Sequence, residues 1–384
     1  MATNNPILKI GFVFDDSLDK PDGVQQYVFS IGQWLTSQGH DVHYLVGATK
    51  RQDLANVHSL SRNINVRFNG NRMSIPLPTS KRKLKTLLEF QNFDVLHVQL
   101  PYSPFLGHRI IKSAGKNTAI IGTFHIFAEG WLAITGTKIL KFWLQSSLKR
   151  FDNIVSVSKA AADFADKNFE IKTNVLPNVI DFQRFATAKP IEKYDDGILN
   201  ILFLGRLVPR KGCQVLLEGI NLIKFDNTLP KFRVIICGKG PLANKLAEYS
   251  AKSGLTQFVE FVGFVSEEDK PKYYASADIS VFPSSGGESF GIVLLEAMAS
   301  GQSDVLAGDN PGYRSVISNN PDQLFDPLDY RKLAIKLRQH LMQADIRKKS
   351  QMWGQEYSAS FDTQIIGKKL EDIYHQALRK RLGQ

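Results

Sequence analysis

Residues Gly286 to Gly301 read GGESFGIVLLEAMASG, a glycine-rich turn that runs into an apolar helix-forming stretch, with Glu288 in the turn and Glu296 eight residues further on. Backbone N–H groups at a helix start favour a phosphate or sugar oxygen, and carboxylates accept hydrogen bonds from hydroxyls. That combination suits a sugar nucleotide. The run Ile279 to Phe282 just before it reads as a strand, so the turn stands at a strand's carboxyl end, where open parallel sheets bind their ligands.

The same alternation of short β-branched runs and amphipathic stretches extends along the whole chain, the pattern of parallel sheets covered by helices. In the first half strands are expected at Leu8–Phe14, Asp41–Val46, Val95–Gln99, Ala119–Phe124 and Ile154–Val157; in the second at Ile198–Leu204, Arg233–Cys237, Val259–Val262, Ile279–Phe282 and Asp304–Leu306. The 384 residues fit two domains. Both halves read as doubly wound α/β. The break falls in Val175 to Lys189, where a Pro-Asn pair follows a strand. The expected domains are 1–176, joined by a long C-terminal helix over 361–384 that ends in the basic tail Arg379 to Gln384, and 177–360, with a cleft between them.

Composition narrows the class. A hydrophobic content of 43% with 22% charged residues is that of a globular protein, and no apolar run reaches the roughly 18 residues of a membrane span. The start, MATNNPILKIGFVF, enters a strand without a basic segment and cleavage site, so no secretory signal is expected and the cytoplasm is the expected compartment. Cys213 and Cys237 lack metal-ligand spacing and imply no disulfide framework. The net charge of +11 is uneven: residues 1–176 hold 21 Lys/Arg against 13 Asp/Glu, most of the excess between Arg51 and Lys116. A basic face attracts nucleic acid, anionic lipid or phosphorylated substrates, or merely keeps a surface solvated.

Gly205 to Gly212, GRLVPRKG, follows the apolar run ILNILFL and precedes the helix-forming CQVLLEGI. A strand end, two glycines and cations at a helix start make a phosphate site by geometry and charge together; otherwise the segment is an ordinary surface turn. Arg206 and Lys211 are the candidates to hold a diphosphate in a metal's place. Glu288 would meet sugar hydroxyls and Glu296 a ribose, with the N–H groups of Ser289, Phe290, Gly291 and Ile292 facing the donor. Glu296 lies among Val293, Leu294, Leu295, Ala297 and Met298, and a carboxylate in such company needs a partner.

These residues resemble the retaining glycosyltransferases of family 4, whose GT-B fold has two Rossmann-like domains and an E-x7-E segment in the second. Among them the chain resembles the phosphatidylinositol mannosyltransferases, over nearly its whole length and most strongly in GRLVPRKG and GGESFGIVLLEAMASG. The resemblance implies that Arg206 and Lys211 hold the donor diphosphate, Glu288 the transferred sugar and Glu296 the ribose. It implies that Val265, Glu267 and Lys270 contact the base. In the first domain, Gly23 in DKPDGVQQYVFSIGQWL would let the backbone approach the donor phosphate, Gln25 would face the acceptor, and His125 in Thr123-Phe124-His125 would lie beside the reacting sugar. A lone histidine is otherwise more often structural. The chain departs from the family at Asp22-Gly23 (usually Gly-Gly), at Pro177-Asn178-Val179 (usually Pro-Asn-Gly) and at Gly301 to Leu306, GQSDVL (usually Gly-x-Pro-Val-Val-Ala). The segment Ile75 to Lys85 does not match the inositol-contacting residues.

By the resemblance the activity is metal-independent transfer of a hexose with retention, GDP-mannose the leading donor and phosphatidylinositol the leading acceptor, no cofactor being needed and a monomer expected. UDP-sugars and other glycolipids follow. Lys81 to Leu88, KRKLKTLL, interleaves cations and leucines as an amphipathic helix does, and with Trp131, Phe142 and Trp143 could bind an anionic membrane peripherally at its inner face; the alternative is a core-packed helix with a basic outer side. A nucleotide-sugar epimerase would use the donor site without transfer. A nucleic-acid binder is not expected because interleaved aromatic and basic motifs are missing, and a dinucleotide dehydrogenase because no G-x-G-x-x-G follows the first strand.

Overall fold

A computed structural model describes residues 6–19, 23–51, 53–68, 71–125 and 131–383, without the side chains of 65–68, 71–75 and 131–139. Asp22 and the side chain of Trp131 therefore lie outside the described residues. The chain divides into two compact units, Met1–Val179 with Thr363–Gln384, and Ile180–Asp362.

The first unit contains β1 (Lys9–Phe14), β2 (Asp41–Val46), β3 (Val57–Ser59), β4 (Asn63–Phe68), β5 (Asn71–Pro76), β6 (Val95–Gln99), β7 (Ala119–Phe124), β8 (Asn153–Ser156) and β9 (Asn174–Val175). Seven of these form one sheet in the order β3-β2-β1-β6-β7-β8-β9, while β4 and β5 make a separate antiparallel pair. All pairings in the large sheet are parallel. The strands are apolar runs without alternation because helices cover both faces. On one face Ile10 and Phe12 pack with Tyr27, Ile31 and Leu35 of the helix Gly23–Ser37 and with Ile366, Leu370 and Tyr374 of the helix Thr363–Leu382. On the other, Val13, Leu96 and Val98 pack with Leu84, Leu88, Leu106 and Ile110.

Two expectations change here. The basic end is helical to Leu382: Arg379, Lys380 and Arg381 form the last turn, where cations suit the helix dipole, and Arg381 pairs with Asp152 at 2.7 Å. The amphipathic segment is the helix Lys81–Gln91, but its leucines face inward, Leu84 and Leu88 being buried, so the apolar side of that helix belongs to the core. Its cations remain exposed, as do Phe90, Phe142 and Trp143.

The second unit contains β10 (Leu199–Leu204), β11 (Phe232–Cys237), β12 (Val259–Gly263), β13 (Ile279–Phe282), β14 (Asp304–Gly308) and β15 (Leu324–Phe325), in the order β12-β11-β10-β13-β14-β15. This sheet too is parallel throughout. In each unit the strand order reverses beside the first strand, between β1 and β6 and between β10 and β13, which opens a crevice at the strands' carboxyl ends. The departure at GQSDVL is accommodated internally. Asp304, fully buried, binds the His340 ring through one oxygen and accepts from Ser350 Oγ at 2.5 Å through the other, while Ser303 Oγ donates to Ser280 Oγ at 2.6 Å.

Candidate active site

In the second unit, the crevice at the reversal is built from the loops after β10 and β13. β10 ends at Leu204, a single 3-10 turn covers Pro209–Lys211, and the helix Cys213–Ile223 follows. The joint is Gly212, with φ +73° and a backbone so close that a Cβ would stand 2.0 Å from the Pro283 carbonyl oxygen. No other residue fits there. The contact locks the two loops together, assisted by Ser285 N donating to the Arg210 carbonyl at 2.9 Å.

The result is a charge cluster on Glu288. Arg210 Nη1 lies 2.6 Å and Lys211 Nζ 2.8 Å from Glu288 Oε1, and Ser284 Oγ donates to the same oxygen at 2.8 Å. Burial works against the charged carboxylate, but Lys211 and Arg210 outweigh it and hold Glu288 below the usual carboxylate range. All three donors converge on Oε1; among the described residues none reaches Oε2. Arg206, at the end of β10, is exposed. Arg210 and Lys211 against one carboxylate leave one positive charge in the cluster for an anion, and Arg206, in the same loop, is a further cation outside these contacts.

Arg210 is the member that sequence reading passed over, since its spacing is no different from that of any charged residue in a turn. Asn310 and Gly312 were also missed. The Asn310 side chain accepts from Tyr313 N at 3.0 Å and donates to the Ser284 carbonyl at 3.0 Å, and Gly312 is so near that a Cβ would sit 2.1 Å from the Glu288 carbonyl oxygen. The Asn310-Pro311 pair is a legible helix start, but its partner in space is not.

Beyond Glu288, the helix Ile292–Ala299 begins without a side-chain cap, its first position being preceded by Gly291 at φ +128°. Ser289 and Ile292 are half-buried, whereas the Phe290 ring turns inward against Phe361, 5.9 Å between centroids. Glu296 is buried: Lys270 Nζ lies 2.8 Å from its Oε1 and Tyr274 donates to its Oε2 at 3.4 Å. Lys270 also pairs with Glu267 at 2.7 Å. Burial disfavours the ammonium, yet Glu296 and Glu267 together raise its pKa. Lys270 and Glu267 are thus engaged with each other and with Glu296, and Val265 beside them is half-buried.

In the first unit, Gly23 opens its helix exposed to solvent, while Gln25 is buried and donates to the Ser17 carbonyl at 3.1 Å, holding the loop after β1. His125 follows β7 directly and is buried, its Nε2 2.6 Å from Gln99 Oε1 at the end of β6. Tyr27 meets its ring edge-on, 5.0 Å between centroids. Burial pushes the His125 imidazole down to about 3, so it is neutral at physiological pH. Deeper lies His97, bonded to the Tyr374 hydroxyl at 2.7 Å and Thr123 Oγ1 at 2.6 Å.

Each unit is a doubly wound parallel sheet, and basic and carboxylate groups gather at the strand ends of the second. Residues 21–184 match the family described as Glycosyltransferase Family 4, and residues 185–357 that described as Glycosyl transferases group 1. The Phosphatidyl-myo-inositol mannosyltransferase of Mycobacterium tuberculosis (strain ATCC 25618 / H37Rv) is 31% identical over 325 residues, 84% of this chain and 83% of the relative. The Alpha-monoglucosyldiacylglycerol synthase of Streptococcus pneumoniae (strain ATCC BAA-255 / R6) is 23% identical over 342 residues, 84% of this chain and 75% of that one. In fold, a glycosyltransferase from Rickettsia africae superposes with a TM-score of 0.77 at 21% identity, covering 98% of this chain and 100% of its own. The chain belongs to the family 4 glycosyltransferases. Among the described residues no helix is long and apolar enough to cross a membrane.

Proposed function

We propose that this enzyme moves mannose from GDP-mannose onto a hydroxyl of a phosphatidylinositol-type lipid at the inner face of the cell membrane, with retention at the anomeric carbon and without a divalent metal. The observation that carries the reading is the excess of cations over carboxylate around Glu288 at the ends of β10 and β13. Arg206 and Lys211 neutralise the donor diphosphate, assisted by Arg210. Glu288, anchored through Oε1, offers Oε2 to sugar hydroxyls, and Glu296 receives the ribose. As the bond from the anomeric carbon to the diphosphate oxygen breaks, the acceptor oxygen attacks from the same face and its proton passes to the departing diphosphate. Electrostatic stabilisation of that leaving group is the main catalytic effect. Neutral His125 lies beside the reacting sugar.

Similarity to the mycobacterial mannosyltransferase supports mannose as the sugar and phosphatidylinositol as the acceptor. Similarity to the streptococcal synthase favours a second reading, another hexose delivered to another glycolipid. The exposed Lys81, Arg82, Lys83 and Lys85, with Phe90, Phe142 and Trp143, support peripheral membrane binding. The test is a transfer assay in EDTA crossing GDP-mannose and UDP-glucose with phosphatidylinositol and diacylglycerol vesicles. Product from GDP-mannose and phosphatidylinositol alone supports the first reading; product from UDP-glucose and diacylglycerol alone replaces it with the second.

A further inference from the structure

His125 presents a question that its position alone does not answer: which ring nitrogen carries the proton. The contact with Gln99 decides it. Gln99 is 1% exposed and its Oε1 lies 2.6 Å from His125 Nε2. With its oxygen facing the ring the amide can only accept, and a hydrogen bond in that orientation puts the proton on Nε2. A neutral imidazole has a single ring proton, and Nδ1 is then a bare acceptor.

Gln99 is held firmly. It is the last residue of β6, in register with Thr123 of β7. The next residue, Leu100, has φ +62°, a left-handed conformation rare for a branched apolar residue, and its N–H nevertheless donates to the Thr123 carbonyl at 3.1 Å. The strand is thus carried one ladder bond past Gln99 before the chain turns. Backbone strain of this kind persists only where the surroundings enforce it, and it gathers at functional sites. The Gln99 amide nitrogen is buried and finds no partner among the described residues. An amide whose one side-chain bond among the described residues is to His125, at the cost of one unmade bond, serves that histidine.

We infer that Gln99 is a positioning residue that fixes His125 as the Nε2–H tautomer, leaving Nδ1 to accept a hydrogen bond from a hydroxyl of the sugar or acceptor. The inference rests on the proposed role of His125 in sugar transfer. Among the described residues, Tyr27 edge-on to the ring and His97 beneath carry no formal charge that would set its tautomer: burial raises the Tyr27 phenol above its usual range and pushes His97 down to about 3.

The test uses the full chain labelled with ¹⁵N-histidine, with His125→Gln to assign its signals, and compares wild type, Gln99→Leu and Gln99→Glu by long-range ¹H–¹⁵N NMR and by steady-state transfer. Wild type is expected to show a neutral Nε2–H ring from pH 8 to 5. Gln99→Leu is expected to lose that single tautomer and at least about tenfold in kcat, with KM for the sugar nucleotide within about twofold. Gln99→Glu, nearly isosteric, places a carboxylate on the ring and is expected to bring the imidazolium into the range pH 5 to 8, with a matching new limb in the pH profile of kcat. An Nδ1–H ring in wild type overturns the inference, as does wild-type kcat in Gln99→Glu with an unchanged pH profile. If wild type transfers sugar from no donor, the functional reading fails while the tautomer measurement stands on its own.

Discussion

Glu288 shows how much one side chain can be asked to do. Two cations and a hydroxyl on Oε1 keep it ionised and immobile, so its replacement acts on binding and on charge balance together. Glu288→Gln retains the shape and removes the charge; kcat measured by transfer is expected to fall by about 10²-fold or more, with unfolding in urea changed by about 1 kcal/mol. Arg206→Ala and Lys211→Ala are each expected to lower kcat/KM by orders of magnitude while the melting temperature stays near wild type, and wild-type turnover in both would remove the diphosphate assignment. The buried imidazoles give a pH dependence of definite sign. His97 and His125 are both pushed down to about 3 by burial, with His125 adding repulsion on His97. Their folded pKa values lie below the unfolded value, so the unfolded chain binds the extra protons and stability falls as pH drops from about 6.5 toward 3, by up to about 1.4 kcal/mol per pH unit for each. Asp15 opposes this: burial raises it to about 6, so it adds stability as pH falls from about 6 toward 4. Urea titrations between pH 6.5 and 5 should therefore show a net fall in stability, the histidine slope partly offset by Asp15, and His125→Gln should reduce it.

At the scale of elements, the site depends on close backbone approaches that the sequence conceals. Gly312 touches the Glu288 carbonyl so closely that Gly312→Ala must push the turn away; about tenfold or greater loss of kcat/KM is expected with only a modest change in far-UV circular dichroism. The strands, by contrast, were legible almost residue for residue, because runs such as Ala119–Phe124 and Ile279–Phe282 are buried on both faces and therefore uninterrupted. The hairpin β4–β5 and the short edge strands β3, β9 and β15 were not read, since edge pairing imposes no apolar run. Helix Lys81–Gln91 was legible as amphipathic, but periodicity does not say whether a core or a membrane receives its leucines. The Ser303-Asp304 departure has a reason only in three dimensions. Asp304→Val should leave the His340 ring without its partner and the Ser350 hydroxyl, which keeps its bond from Gln323, without an acceptor, at a cost of about 2 to 4 kcal/mol in urea denaturation, and adding His340→Leu should recover part of it.

For the whole molecule, the C-terminal helix Thr363–Leu382 belongs to the first unit although the second intervenes in sequence. Its apolar positions announced a helix; that Tyr374 would reach His97 did not follow from them, because a hydrogen bond between residues 277 apart leaves no local trace. Removing 363–384 takes away Ile366, Leu370 and Tyr374, uncovers the core residues they pack on and leaves His97 without the Tyr374 hydroxyl, so the truncated chain is expected to lose solubility or melt well below the full chain. The central claim is that fixed cations around Glu288 capture a nucleoside diphosphate without a divalent ion. Isothermal titration of the full chain in EDTA with GDP, UDP and their hexose conjugates tests it most directly. Binding of at least one of them, unchanged by EDTA and weakened about tenfold or more by Lys211→Ala, is the expected result. No heat of binding from any of them, or binding that vanishes on chelation, would contradict it.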